Sequence, residues 1–254
     1  MKKLAIIFLM LLSVASCERQ KPVTIRLIGD STMADKSEPE INPEHGWGQV
    51  LHEFFDDHVT VVNYARNGRS TKSFIDEGLW NEVLSDLQAG DYVFIQFGHN
   101  DQKDHDPKRY TNPYTVYRAN LIRYVQDTRN KGGIPVLLSS IVRRNFNEYG
   151  TLIDTHGVYP FIVRDVARDL NVDFVDMQLK SEELVTSLGK EASKELYLWY
   201  GPGVYYKYPE GKEDNTHFTR KGALEMARLA VEGLAEIHSG LNSYRITPDS
   251  TAVR

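Results

Sequence analysis

The sequence predicts one α/β domain built on a mostly parallel sheet. Short apolar runs recur along the chain, amphipathic helical patterns separate them, and polar clusters follow the first three runs. The runs are "TIRLI" (24–28), "VTVVNY" (59–64), "DYVFIQF" (91–97), "IPVLLSS" (134–140) and "VDFVDM" (172–177). Most are β-branched or aromatic without strict alternation, as expected of strands covered on both faces.

Helical patterns lie between them. "GWGQVLHEFF" (46–55) is one, and "TVYRANLIRYVQDTRNKGG" (115–133) places Val116, Leu121, Tyr124 and Val125 near one face before Gly132 stops it. "GVYPFIVRDVARDLN" (157–171) has Pro160 suited to a first turn. "TRKGALEMARLAVEGLAEIHSG" (219–240) starts at Thr219, a plausible N-cap. The segment 199–215 reads as a long loop rich in Gly, Pro and Tyr, and long loops in compact domains are often functional. No repeat, linker or low-complexity segment interrupts the pattern.

With 41% hydrophobic and 26% charged residues, the chain reads as globular rather than disordered. A net charge of −5 and the lack of a long Lys/Arg run argue against nucleic acid as a partner. The N-terminus "MKKLAIIFLMLLSVASC" combines two lysines, an apolar stretch and small residues before Cys17, as a secretory signal does. Its ending resembles the lipobox of a bacterial lipoprotein. That resemblance implies a signal peptide over 1–16, a lipidated Cys17 and one mature domain over 17–254. The protein would then be exported to the periplasm or outer membrane, touching the bilayer only through its lipid. Cys17 is the single cysteine, so no intramolecular disulfide is expected.

In open parallel sheets ligands gather at the C-terminal strand edges. Gly29-Asp30-Ser31, Arg66-Asn67-Gly68-Arg69-Ser70 and Gly98-His99-Asn100-Asp101 all fall there. Gly, Asp and Ser also dominate ordinary turns, so Ser31 alone is either a turn residue or a nucleophile. A nucleophilic serine needs a histidine held by an acid, which fixes the ring tautomer and stabilises the imidazolium. Of eight histidines, only His217 has an acid three residues earlier, Asp214 in "DNTH". A local turn at that spacing lets the carboxylate reach Nδ1 while Nε2 faces the serine. Other chemistries find little support. "GDSTM" lacks the final Gly of G-x-S-x-G, and Walker A, G-x-G-x-x-G, C-x-x-C and H-E-x-x-H are all missing. No metal or organic cofactor is expected.

Ser31, Gly68, Asn100 and His217 stand in chain order in blocks that resemble those of SGNH hydrolases of the GDSL type. The likeness covers nearly the whole mature chain. "GDSTMAD", "GWGQ", "FGHND", "SSIVRRNFNEYGTLIDTHGVYP" and "KEDNTHF" together resemble rhamnogalacturonan acetylesterases of carbohydrate esterase family 12. The resemblance implies a flavodoxin-like fold, a five-stranded parallel sheet between helices. It also implies a serine esterase that removes O-acetyl groups from pectic rhamnogalacturonan. Ser31, Asp214 and His217 would be catalytic, with an oxyanion hole formed by the N–H groups of Ser31 and Gly68 and the side chain of Asn100.

For recognition of an acidic sugar, Arg66, Arg69, Arg143 and Arg144 are candidates, because a guanidinium fork matches a carboxylate. His99 lies in a loop that can approach the site. Trp47, Trp199, Tyr200, Tyr205 and Tyr206 are candidates for stacking on sugars, with Trp47 the most suited to a structural role. Other readings stay open: an acetylesterase on another sugar such as acetylated xylan, a lipid esterase or thioesterase, or a glycan-binding lipoprotein without catalysis. The acyl-channel reading fits poorly with the polar, basic "RRNFNEYG". The binding-only reading fits poorly with an intact serine, acid and histidine. Oligomeric state is not legible.

Overall fold

The five apolar runs form β1 (Val23–Gly29), β2 (Val59–Asn63), β3 (Tyr92–Gln96), β4 (Ile134–Leu138) and β5 (Asp173–Val175). In the computed structural model, which describes residues 21–248, they pair in the order β2-β1-β3-β4-β5, every pair parallel. This is the doubly wound order expected of a flavodoxin-like sheet. The signal-like segment and Cys17 lie outside the described residues.

The central strands are apolar throughout because both faces are buried, and the period of two divides their side chains between two cores. Tyr92 and Phe94 of β3, with Val136 and Leu138 of β4, join one core; Val93, Ile95 and Leu137 join the other. The first core is closed by α1 (Trp47–Val50), α6 (Met177–Ala192) and α7 (Arg220–Glu236). The second is closed by α2 (Thr71–Asp76), α3 (Leu79–Asp86), α4 (Arg118–Asn130) and α5 (Tyr159–Leu170).

Several elements differ from the sequence reading, each for a local reason. The fifth strand stops at Val175 because the Asp176 side chain accepts from Leu179 N–H and caps α6. The helix expected over 46–55 is a single α turn that tightens into a 3-10 turn over Leu51–Phe54. Thr219 is the N-cap foreseen for α7, accepting from Gly222 N–H. The loop read over 199–215 is in part a hairpin: β6 (Tyr197–Tyr200) pairs antiparallel with β7 (Lys212–Phe218). β7 escaped notice because "KEDNTHF" carries almost no apolar signal.

The "GWGQ" segment presses α1 onto the chain that follows β1. A Cβ on Gly46 would lie 2.2 Å from the Ala34 carbonyl oxygen, and one on Gly48 2.6 Å from that of Met33. Trp47 N–H donates to the Thr32 carbonyl at 2.9 Å. The Trp47 indole donates to Gln96 Oε1 at 2.8 Å, and Gln96 in turn donates to the Ser139 carbonyl. Trp47 is therefore structural. It fixes the loop after β1, and its own buried indole N–H is paired.

Candidate active site

β1 ends in Gly29, and Asp30 opens a turn in which its Oδ1 accepts from the amide and hydroxyl of Thr32, both at 2.9 Å. Met33 and Ala34 N–H both bond to the Asp30 carbonyl, so the turn holds Ser31 at the sheet edge. The partner comes from the other end of the chain. His217 Nε2 lies 2.9 Å from Ser31 Oγ, across 186 residues. His217 Nδ1 lies 2.8 Å from Asp214 Oδ2.

Local geometry in β7 makes this possible. Tyr197 pairs with Phe218, but Leu198 pairs with Asp214, so the register breaks between them. In the resulting bulge Asp214 Oδ1 accepts the backbone N–H groups of Thr216 (2.8 Å) and His217 (3.0 Å). The carboxylate thus uses one oxygen to shape the turn and the other to hold the ring. Burial works against the Asp214 charge, but the hydrogen bond and charge of His217 and the two amides outweigh it. Its carboxyl is held well below the ordinary range. An ionised Asp214 keeps the His217 proton on Nδ1 and leaves Nε2 as acceptor for the serine hydroxyl.

The loops after β2 and β3 complete the site. Gly68 has φ +76°, a left-handed conformation that glycine adopts without strain. Its N–H belongs to the same peptide as the Asn67 carbonyl, which is held by Arg69 Nη1 at 2.8 Å. Asn100 donates one Nδ2 hydrogen to the Arg69 carbonyl at 3.1 Å, and its Oδ1 accepts from Lys103 Nζ at 2.9 Å. The second Nδ2 hydrogen is left for a ligand. Ser31, Gly68, Asn100 and His217 line one cleft of about 450 Å³, together with Glu44, Asn67, His99, Lys103, Arg143 and Thr216. Among the described residues, no group of 3 or more His, Cys, Asp or Glu side chains converges as a metal site requires.

The model of the GDSL-like lipase/acylhydrolase family matches residues 25–230. The chain belongs to that family. It is 40% identical over 228 residues to rhamnogalacturonan acetylesterase RhgT of Bacillus subtilis, a match covering 90% of this chain and 96% of that one. A rhamnogalacturonan acetylesterase of Emericella nidulans is 31% identical, covering 78% of this chain and 82% of its own. Among solved structures, protein YxiM of Bacillus subtilis superposes with a TM-score of 0.70 at 25% identity. This chain, 86% of which is covered, spans 57% of that one. Acetylxylan esterase Axe2 of Geobacillus stearothermophilus shares the fold, with a TM-score of 0.59 at 19% identity over 83% of this chain and 93% of its own.

Of the recognition candidates read from the sequence, the structure brings Arg143 and His99 to the cleft and leaves the other three arginines outside it. Arg144 is buried and turned toward the hairpin. It donates to Ser193 Oγ, Asn215 Oδ1 and the Lys190 carbonyl, and its own N–H bonds the Asn215 carbonyl. It braces the bulge that carries Asp214 and His217. Arg66 bonds the adjacent Ala65 carbonyl, while Arg69 pairs with Glu77 and orients the Asn67–Gly68 peptide. Trp199 donates to Asn215 and lies 4.9 Å under the Arg144 guanidinium. Trp199 and Tyr200 border a separate cleft on the hairpin, Tyr205 packs on Tyr200, and Tyr206 is fully exposed. Sequence reasoning missed Glu44, Lys103 and Thr216, and placed Asn67 only within the polar cluster after β2. Lys103 was the most findable, three residues beyond Asn100 in the same turn.

Beneath the cleft, His99 and His156 are buried against Arg143. Arg143 Nη1 approaches His156 Nε2 at 3.5 Å. A guanidinium only donates, so this nitrogen carries a lone pair and receives His99 Nδ1–H across 3.1 Å. His156 then bears its proton on Nδ1, which faces Asp154 Oδ1 at 4.0 Å, and His99 Nε2 is a bare acceptor. Burial, then the neighbouring positive charges, push His99 well below its ordinary pKa and His156 down to about 3. Both rings are neutral in the fold but take up protons near pH 6.5 when unfolded. Their contribution is therefore present above that pH and is lost as pH falls below it, at about 1.4 kcal/mol per pH unit for each ring. Urea denaturation is expected to show His156→Gln with a shallower acid-side decline than wild type between about pH 6.5 and 4.5. Parallel declines would mean that His156 is protonated in the fold.

Proposed function

We propose that the protein is a serine esterase that removes O-acetyl groups from a pectic polysaccharide of the rhamnogalacturonan type. The carrying observation is the unbroken line from Asp214 through His217 to Ser31 at the head of the cleft. The rhamnogalacturonan acetylesterases among the relatives support the substrate.

Ser31 Oγ attacks the acetyl carbonyl carbon as its proton passes to His217 Nε2. The carbonyl π electrons move onto oxygen, and this oxyanion receives the N–H groups of Ser31 and Gly68 and the free Nδ2 hydrogen of Asn100. Lys103 on Asn100 Oδ1 polarises that amide toward donation. As the intermediate collapses, the sugar oxygen leaves with the acetyl C–O bonding pair and takes the proton from the imidazolium. Water then attacks the acetyl-serine, with His217 as base. Acetate departs and Ser31 recovers its proton.

The cleft also carries charge suited to an acidic sugar. Arg143 and Lys103 line it, and galacturonate presents a carboxylate. With Arg144 turned away, Arg143 is the arginine that reads this group. Acetate release from acetylated rhamnogalacturonan should exceed that from acetylated xylan, and Ser31→Ala should abolish both. Arg143→Gln should lower kcat/KM on the acidic polymer by about 10-fold to 100-fold, the worth of a charge-assisted hydrogen bond. It should cost much less on p-nitrophenyl acetate, which has no carboxylate. Equal losses on both substrates would assign Arg143 to support of the His99–His156 pair instead.

We further propose that the chain is exported and anchored by lipid on Cys17, a reading supported by residues 1–17 alone. A lipoprotein bearing more than one acyl chain stays with membranes. Wild-type protein should therefore partition into detergent, and Cys17→Ser should not. Recovery of wild-type protein free of lipid in the aqueous phase would overturn the anchor.

A further inference from the structure

Lys36 is buried directly behind the nucleophile, with its side chain 3% exposed. Its ammonium has three N–H donors and meets three acceptors: the Ser31 carbonyl at 2.6 Å, Asn67 Oδ1 at 2.7 Å and Glu44 Oε1 at 2.9 Å. These acceptors lie on three separate stretches of chain. Ser31 follows β1, Asn67 follows β2 and precedes Gly68, and Glu44 lies before α1. The lysine backbone is held as well. Its N–H donates to Gln49 Oε1 at 3.1 Å, and its carbonyl accepts from Gln49 Nε2 at 3.4 Å. Gln49 is the last residue of "GWGQ", whose glycines and tryptophan already lock α1 against the same loop.

We propose that Lys36 is the positioning residue of the oxyanion hole, clipping the loop of Ser31 to the loop of Gly68 through one ammonium. This rests on the esterase reading above. Two of the three oxyanion donors are backbone N–H groups on different loops; the β1–β2 ladder reaches only to the Arg66 N–H bond on the Gly29 carbonyl, two residues short of each donor. Lys36 ties the two loops together beyond the end of that ladder. It fixes the peptide after Ser31 by its carbonyl and the Asn67 side chain beside the Gly68 amide. Arg69 orients that amide's peptide from its carbonyl side. Preorganised donors stabilise an oxyanion because they need not reorient as charge develops. A misplaced donor is felt in the transition state and much less in the bound ester.

Lys36 is also the counter-ion of Glu44, and removing one member of a buried pair destabilises a fold regardless of catalysis. The variants must separate the two roles. Lys36→Met, Asn67→Ala and the double variant Lys36→Met/Glu44→Gln are compared on p-nitrophenyl acetate, with Ser31→Ala alongside. Lys36→Met should lower kcat by about 10-fold to 100-fold, short of or equal to the loss of one oxyanion donor, with KM within about twofold. The double variant should recover most of the lost Tm but not the lost kcat. Asn67→Ala, at an exposed residue, should lower Tm less than Lys36→Met does and show a smaller fall in kcat. Wild-type kcat in Asn67→Ala, or recovery of kcat together with Tm in the double variant, overturns the proposal and leaves Lys36 a counter-ion. If Lys36→Met does not fold, the other two variants decide. If Ser31→Ala stays active, the esterase reading itself fails, a different outcome from either.

Discussion

A 2.9 Å contact between His217 Nε2 and Ser31 Oγ is the constraint that the rest of the molecule serves. It joins opposite ends of the chain, so no local propensity creates it. The parallel sheet brings the start of the chain to its C-terminal edge, and α7 returns the end of the chain over the same core. The hairpin then sets the height of His217. Its bulge places Asp214 behind the ring, and Arg144 pins the bulge from outside through both backbone and side chain of Asn215. An arginine that the sequence offered as a candidate for the substrate thus braces the catalytic strand.

Charge is distributed around the cleft so that each group is either paired or aimed. Lys36 pairs with Glu44 at the cleft, which Lys103 and Arg143 also line. Beneath them a neutral His99–His156 pair takes the place of a third charge, since burial beside Arg143 makes an imidazolium costly. Arg143 keeps hydrogen bonds to Thr155, which position it without neutralising it. The outcome is a partly enclosed polar site in which hydrogen-bond donors are fixed before substrate arrives. In such surroundings fixed dipoles act more strongly than they do in water.

The sheet was legible in the sequence because strands buried on both faces leave no choice but apolar residues. The catalytic blocks were legible because each falls just past one of those strands or just before the last helix. Asp214 was found by its spacing from His217, and the turn expected there exists, though inside a strand. What was not legible depends on partners rather than residue type. Arg66, Arg69, Arg143 and Arg144 are alike in sequence, yet only contacts with Glu77, Asn215 or the cleft tell them apart. β7 is a polar strand with little burial pressure, so hydrophobic periodicity carries no trace of it. Nothing in "MADKSEPE" singles out Lys36, because its role depends on three acceptors from separate stretches of chain.

The most direct test of the account is a crystal structure of the protein after reaction with a p-nitrophenyl alkylphosphonate. The tetrahedral adduct mimics the charged intermediate. The account predicts phosphorus bonded to Ser31 Oγ, one phosphonyl oxygen within hydrogen-bonding distance of Ser31 N, Gly68 N and Asn100 Nδ2, and His217 still joined to Asp214. An adduct on another residue, or a phosphonyl oxygen directed away from Gly68 and Asn100, would contradict it.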